Sequence, residues 1–335
     1  MKNNIIAISV GSVNTSIYRQ GFGVVLLEPS VVAVGAGDRR KVKAIGKEAK
    51  QLIGKTADAT QIIMPISEGE IADERAATQM IESFINKVTL KKLSLRPQVV
   101  LSVPCGLDSQ AIKKYEKVFN NVGVYNIEFV EAPLLTALGL GAPISEATPC
   151  FLIDFGGATT SMAAVSLDGV IAGISVNMGG NTIDAMIIDY IDRVFNLKIG
   201  KLTAERVKTE IGSLLEDDVM RAKVNGRDST TGKPRAVSLG AQDIIVPIRM
   251  FFDKIFEIAD KFMAKLPVEV SAEIRRSGVY FAGGTSKIVG LAEYFRDVMA
   301  IKANVSDEPA LATVLGGGIV SSDKALLNKL KIRNR

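Results

Sequence analysis

The chain has 335 residues, 47% of them apolar, with 41 Lys+Arg against 36 Asp+Glu and a net charge of +5. That length allows about two domains, and so mild a cationic excess permits an anionic partner without demanding one. Histidine is absent and the two cysteines, Cys105 and Cys150, form no cluster, which excludes imidazole chemistry, the Ser-His-Asp and Cys-His schemes, and a zinc site.

Short β-rich runs with glycine turns open the chain: Ile5–Val10, Thr15–Arg19, Val24–Leu27 and Val31–Val34. A helical period runs from Glu70 to Val88 and is followed by a strand Val99–Val103, a helix near Asp108–Val122, a strand Asn126–Val130 and an apolar helix from Pro133. A second hairpin begins near Cys150. Helical spacing returns at Ile183–Phe195 and Thr203–Leu214, then a hairpin joins Asp218–Val224 to Ala236–Leu239 through the polar turn GRDSTTGK. A long helix Ile244–Met263 leads to a strand Val279–Ala282, the turn GGTSK and a helix Ile288–Met299. Strands alternating with helices predict an α/β fold. No uncharged apolar run reaches the roughly 18–20 residues of a membrane span. The N-terminus, with one lysine before a polar turn, lacks the pattern of a signal peptide, and the cysteines read as buried, reduced thiols of a cytoplasmic protein.

One feature repeats. IAISVGSVNTSIY (Ile6–Tyr18) and FLIDFGGATTSMAAVS (Phe151–Ser166) both read as an apolar strand, a glycine turn and a second strand. Aligned, Gly11 meets Gly156, Thr15 meets Thr160 and Ser16 meets Ser161, while Ser9 meets Asp154. The repeat predicts two similar halves. Turns without bulky side chains let backbone amides approach an anion, so a facing pair clamps a polyphosphate, and Asp154 is placed to hold a hydrated Mg2+ on it. A third glycine turn, Gly283-Gly284-Thr285, follows a strand and offers backbone to a ligand.

These segments resemble the actin/Hsp70/hexokinase superfamily and, within it, the bacterial actin family MreB. FLIDFGGATTS is similar to the family's second phosphate motif and GSVNTSIY to its first, written DLGTANTLVY. VEAPLLTALGLG is similar to IEEPMAAAIG, and TAERVKTEIG and GVYFAGGTSKIVGL to adenosine-contacting segments. EPSVVAVG, IGKEAKQLIGKT and PISEGEIAD follow the family without gaps. The resemblance implies an actin-like fold: two similar α/β domains, or four subdomains, around a nucleotide cleft. Domain I would span 1–145, with a smaller subdomain at about 33–73 and completion by 316–335. Domain II would span 146–315, with a smaller subdomain at about 182–242.

The same resemblance implies ATP and Mg2+ as cofactors. Gly11, Ser12, Val13, Asn14 and Thr15 would touch the phosphates from one side, and Gly156, Gly157, Ala158 and Thr159 from the other, with Asp154 holding the metal through water. Gly180, Glu205, Arg206, Val207 and Lys208 would flank the nucleoside, with Gly283, Gly284, Thr285, Ser286 and Lys287 closing over it. Thr159 would position the attacking water. Ser9 and Ala132 depart from the family, which has an aspartate and a water-activating glutamate there. The expectation is therefore an ATP-binding, filament-forming cytoskeletal protein for cell shape or motility, a weak ATPase at most, like divergent MreB paralogues of wall-less, helical, swimming bacteria. A fully active MreB-type ATPase and a small-molecule kinase of the superfamily are the rivals, the kinase lacking a motif for a catalytic acid. Implied partners are the chain itself, paralogous actin homologues and, weakly, the inner face of the cell membrane, through Leu93 and Leu95 in the Leu/Lys loop. The basic C-terminus, where Leu326, Leu327 and Leu330 share a helical face, reads equally as a lipid-docking helix or as a helix packed on its own domain with a frayed basic end. No nucleic acid is expected.

Overall fold

The computed structural model describes residues 5–35, 41–55, 60–89 and 97–332. It divides into two compact units, one of Met1–Leu152, Ala163–Ile174 and Ala310–Arg335, the other of Ile153–Met162 and Ser175–Pro309.

In the first unit, alternating apolar residues make a five-stranded sheet in the order Ile127–Glu131, Gln98–Val103, Ile5–Val10, Asn14–Arg19, Gly23–Pro29. The first three strands are parallel and the last two extend them as an antiparallel meander. The N-terminal strand is buried on both faces, so it reads as a continuous apolar run. On one side Ile6 and Ile8 join a core with Met80, Phe84, Tyr115 and Phe119 from helices Glu74–Val88 and Ser109–Asn121. Both helices start at an aspartate whose side chain accepts a first-turn amide, Asp73 from Ala76 at 2.9 Å and Asp108 from Ala111 at 2.7 Å.

On the other side lie helices Ala132–Gly139 and Ala312–Ser322, which meet backbone to backbone. A Cβ on Gly139 would sit 1.8 Å from Ala312 O, and one on Gly316 1.8 Å from Leu135 O. Gly317 and Gly318 let the same helix lie on Ala7 and Tyr18, where a Cβ would be 2.7 Å from each. A hydroxyl pair, Thr136 and Thr313 at 2.8 Å, closes the contact. A smaller sheet orders Val42–Ile45, Val32–Gly35 and Thr60–Ile63 over Val31, Ala33 and Ala49.

A second five-stranded sheet has the order Gly169–Val176, Thr160–Ser166, Cys150–Phe155, Val279–Ala282, Ala303–Val305. The core of the second unit is a chain of edge-to-face rings in which Phe155 meets Phe252 at 5.6 Å and Phe281 at 5.0 Å, and Phe295 meets Phe256 and Phe281 at 5.0 Å each. Helix Ile245–Met263 carries Phe252 and Phe256; helices Gly180–Phe195 and Lys201–Ile211 and a small sheet, Leu197–Lys198, Arg221–Asp228 and Pro234–Gly240, complete it.

Several expected boundaries move, each for a local reason. Glu70 does not begin a helix: Ile66–Ser67 and Glu70–Ile71 pair in a tight hairpin whose turn residues Glu68 and Gly69 have φ of 55° and 81°, a twist that suits a two-residue connection. The hairpin expected to turn over GRDSTTGK keeps its strands to Asp228 and from Pro234, because Asp228 accepts the amides of Thr230 and Thr231 and tightens the turn. The last helix of the second unit begins at Leu291 rather than Ile288, since Gly290 has φ 76°. Strand Ala303–Val305 is only three residues long and the glycine-rich helix Ala312–Ser322 carries too little periodic signal to be read beforehand, whereas helix Val268–Ser277 is amphipathic and is simply not among the expected elements.

The C-terminal helix Lys324–Leu330 decides between the two readings of the C-terminus. Leu327 and Leu330 are buried in its own unit, Ile332 N–H donates to Phe129 O at 2.8 Å, and Lys331 pairs with Glu128 at 3.3 Å. Its apolar face is therefore not free to enter lipid. Leu93 and Leu95, and the basic end Arg333 and Arg335, lie outside the described residues.

Gly316→Ala is expected to lower the melting temperature, at about 1–3 kcal/mol for overpacking a closed contact. Gly169→Ala, where an added Cβ would meet only Ser166 O at 3.8 Å, should not. Thermal unfolding followed by circular dichroism compares the two; equal melting points would mean that the helix contact opens easily.

Candidate functional site

The two glycine turns prove alike in three dimensions. Gly11 N–H donates to Asn14 O at 3.0 Å, and a Cβ on Gly11 would lie 2.8 Å from that oxygen; a Cβ on Gly156 would lie 2.8 Å from Thr159 O. Each turn thus folds back on its fourth residue so closely that only glycine fits at the first. Thr15 and Thr160 are both fully buried beneath their turns, the first against Ser30 Oγ at 2.9 Å, the second donating to Met178 O at 2.7 Å. Thr15 is therefore a support of its turn through its side chain.

In the first turn, Val13 O accepts Ser30 N–H at 2.8 Å and Ser12 Oγ accepts Gly69 N–H at 3.3 Å. The Ser12 and Val13 amides donate to no group among the described residues. Asn14 is exposed.

The second turn is held from behind. The N-terminal amides of helix Gly180–Phe195 donate to it, Gly180 N–H to Gly156 O at 3.0 Å and Asn181 N–H to Gly157 O at 2.7 Å. Thr285 Oγ1 also donates to Gly156 O, at 3.2 Å. In a planar trans peptide the C=O and the following N–H point in opposite directions. With the Gly156 and Gly157 carbonyls fixed toward the helix, the Gly157 and Ala158 amides point away from it. These two and the Thr159 amide find no acceptor among the described residues. The positive end of the helix dipole stands behind them. Consecutive unpaired amides of this kind form a concavity for an anion.

Glycine is required throughout this packing. A Cβ on Gly179 would be 2.8 Å from the backbone of Gly156, Gly157 and Ala158, and one on Gly180 2.9 Å from Thr285 Oγ1. Gly283, at φ 83°, has Phe155 O and Asp154 Oδ1 where its Cβ would be, at 2.3 and 2.4 Å. Ser286 donates to Gly283 O at 2.7 Å, fixing the third glycine turn, while Gly284 and Lys287 are exposed.

Asp154 is half-buried, and desolvation pushes its carboxyl up to about 6. Among the described residues it has neither a hydrogen bond nor an ion pair, and no group of three or more acidic or thiol ligands exists to hold a metal. A carboxylate so placed lacks a cation and fits a hard ion whose other ligands are water and phosphate oxygens. Its counterpart Ser9 stands in sheet register between Ser16 and Ser102, a row of three neutral hydroxyl residues.

Ala132 is the first residue of its helix and half-buried. Its neighbour Glu131 turns elsewhere, accepting Gly106 N–H at 3.1 Å beside Cys105, whose thiol is pushed up to about 12 by burial and then by that carboxylate. On helix Lys201–Ile211, Glu205 is half-buried, Val207 is buried, and Arg206 donates to Glu210 at 2.5 Å and Lys223 O at 2.9 Å. Lys208 is buried, ion-paired with Asp184 at 2.8 Å and donating to Gly180 O at 2.8 Å. Asp184, Gly179, Ser30 and Gly69 escaped the sequence reading. Gly179 was detectable as the residue before a helix beginning GN; Asp184 was hidden as one acid in an apolar helical stripe.

Comparison with known proteins places this geometry. A family model described as MreB/Mbl protein matches residues 3–329. The cell shape-determining protein MreB of Escherichia coli (strain K12) is 33% identical over 323 residues, 95% of this chain and 93% of that protein. Mbl of Bacillus subtilis (strain 168), also named as cell shape-determining, is 30% identical over 328 residues, 98% of each. Among solved structures, MreB5 of Spiroplasma citri bound to AMPPNP superposes with a TM-score of 0.91 at 27% identity, covering 98% of this chain and 100% of that one. The MamK double helical filament gives 0.78 at 18% identity over 96% and 99% of the chains, a likeness of fold.

The raised Asp154 carboxyl has a thermodynamic consequence. The folded state holds this proton more tightly than the unfolded chain, so its contribution to stability is full below the ordinary 3.8 and is lost as pH rises through about 6. Asp154→Asn should therefore raise the melting temperature of the nucleotide-free protein by a few degrees at pH 7.5 and leave it nearly unchanged at pH 4. Melting curves across that range check it; an equal shift at both pH values would show that ionisation is not the cause.

Proposed function

The chain belongs to the MreB/Mbl family, an actin homologue of the bacterial cytoskeleton, and from that premise we propose that it binds ATP with Mg2+ and polymerises into protofilaments for cell shape or motility, hydrolysing ATP weakly. The observation that carries this reading is the pair of alike turns, each with unpaired amides and each too tight for any first residue but glycine. Gly11, Ser12, Val13 and Asn14 in one unit, and Gly156, Gly157, Ala158 and Thr159 in the other, are assigned to the phosphates. Glu205, Arg206, Val207, Lys208, Gly180 and the Gly283–Lys287 turn are assigned to the nucleoside side.

Asp154 is assigned to Mg2+, through water. The ion, when bound, would offset phosphate charge; Asp154 would orient its water ligands, and the cation would favour its ionised form. Ser9 supplies hydroxyl but no charge in the other copy, so the metal would rest on one acid.

Hydrolysis needs a water held in line and a group to take its proton. Thr159 can hold a water through its hydroxyl. Ala132 has no atom that accepts a proton, and Glu131 is engaged by Gly106 N–H. A well-placed general base is worth about 10²–10⁴-fold in rate. Binding relies on the amides and Asp154, so affinity should outlast turnover. Ala132→Glu is expected to raise steady-state phosphate release by at least about tenfold, and Gly157→Val to abolish ATP binding in calorimetry. If Ala132→Glu leaves the rate unchanged at equal assembly, the missing carboxylate is not limiting.

Assembly follows the family: a head-to-tail contact whose rotation does not close repeats without limit. The chain itself is the first partner, and paralogous actin homologues are the second. Sedimentation and electron microscopy with ATP are expected to yield linear filaments; a strict monomer at high concentration with nucleotide would overturn this.

The place of work is the cytoplasm, at the inner face of the membrane. Among the described residues no single helix is long and apolar enough to cross a bilayer. With Leu327 and Leu330 buried, contact rests on cations and the Leu93–Leu95 loop, at about 1 kcal/mol per cation near anionic lipid. Co-sedimentation with anionic vesicles should be weak and abolished by salt; equal binding to neutral vesicles would refute the electrostatic account.

A further inference from the structure

We propose that Lys208, paired with Asp184, is a positioning residue for the phosphate turn, acting on the Ala158 amide through two peptide groups in addition to its place on the nucleoside side. The proposal rests on the nucleotide reading above and assigns this lysine a second task within it.

The path is continuous. The Lys208 ammonium lies 2.8 Å from Asp184 Oδ1 and donates to Gly180 O at 2.8 Å. Both side chains are about nine-tenths buried, with 10% and 9% exposed, so solvent screens this cation little. Gly180 O and Asn181 N–H are the two ends of one peptide. Asn181 N–H donates to Gly157 O at 2.7 Å. Gly157 O and Ala158 N–H are again the two ends of one peptide. Ala158 N–H is an unpaired donor of the turn. A cation on the first carbonyl polarises the first peptide, whose amide then binds the second carbonyl more strongly, and the second amide becomes a better donor in turn. Hydrogen-bonded dipoles aligned in series reinforce one another in a low dielectric.

The same contacts fix geometry. Planarity couples each carbonyl direction to the amide beyond it, so holding Gly180 O sets where Ala158 N–H points. Gly180 has no room for a side chain, since a Cβ would be 3.0 Å from Lys208 Nζ, which keeps the ammonium on the backbone. Asp184 sits one helical turn along from Gly180 and holds the ammonium in place. With its ammonium so engaged, Lys208 has a task that requires no contact with the nucleoside.

The test compares Mg–ATP with inorganic tripolyphosphate, which has the phosphates and no nucleoside. Calorimetry is run on the parent, Lys208→Met, Lys208→Arg and the double variant Lys208→Met/Asp184→Leu. The double variant removes both charges together and so avoids leaving Asp184 buried without its partner. Circular dichroism establishes that each is folded. Losing one charge-assisted hydrogen bond corresponds to about tenfold in affinity. The expected result is that Lys208→Met and the double variant lose that factor for ATP and for tripolyphosphate alike, while Lys208→Arg recovers part of it. In a sample labelled with ¹⁵N-alanine, the Ala158 amide proton should move upfield in the double variant, a change that a merely structural role would not produce. A loss confined to ATP would overturn the proposal and leave Lys208 a contact of the nucleoside alone. No loss for either ligand, or an unmoved Ala158 resonance, would also overturn it. If the parent binds neither ligand, the nucleotide reading itself fails, which is distinct from every failure of the lysine.

Discussion

Peptide groups meeting without side chains between them are the constraint on which both units depend. At the second turn, Gly179 and Gly283 bring two further backbones against residues 154–158 at distances that exclude a Cβ, and Gly180 leaves space for Thr285 Oγ1 and Lys208 Nζ beside it. This closeness lets helix amides reach the Gly156 and Gly157 carbonyls, and planar peptides then turn the opposite amides outward. A methyl group at any of the three would separate the elements, and the amides would lose their common direction before any ligand contact was lost.

The first unit uses the same device for another purpose. Gly139 and Gly316 let two helices cross backbone on backbone, and Gly317 and Gly318 press the second helix on Ala7 and Tyr18. Helix Ala132–Gly139 therefore has a fixed position relative to the N-terminal strand that feeds the first turn. Glycine is unfavourable in a helix by about 1 kcal/mol relative to alanine, and three in succession are tolerable only because close packing offsets that loss. A residue at position 132 is thus held rigidly, which makes the identity of its side chain matter more than its mobility.

Charge is distributed unevenly over a duplicated frame. The two hairpins share their turn geometry and their buried threonines, yet one strand ends in Asp154 and the other in Ser9. Asp154 is isolated from cations within the described residues and is driven toward neutrality by desolvation. Ser9, flanked by Ser16 and Ser102, keeps its neighbourhood neutral in any state. A charge at position 9 would sit beside two hydroxyl residues in sheet register rather than beside a cation.

The sequence by itself determined the alternation of strands and helices and the duplicated hairpin, because apolar strand patterns and turn glycines are local signals, and its motifs carried the resemblance to the family. It located the glycines of all three turns and the departures at Ser9 and Ala132. It did not reveal the helix Ala312–Ser322, since its glycines disfavour a helix until a neighbouring backbone lies against them. It set Glu70 inside a helix, because the tight hairpin at Glu68-Gly69 is stabilised by Tyr115, which donates to Gly69 O at 2.7 Å from a helix 46 residues away in sequence. It left open whether the C-terminal leucines face lipid or their own domain, and the tertiary fold buries Leu327 and Leu330. Which atom Lys208 holds was likewise decided only by the fold, as its partners Asp184 and Gly180 come from another helix. Amide direction is the clearest case: a sequence can require glycine at a turn, but which way the peptide planes face depends on carbonyl partners that only packing supplies.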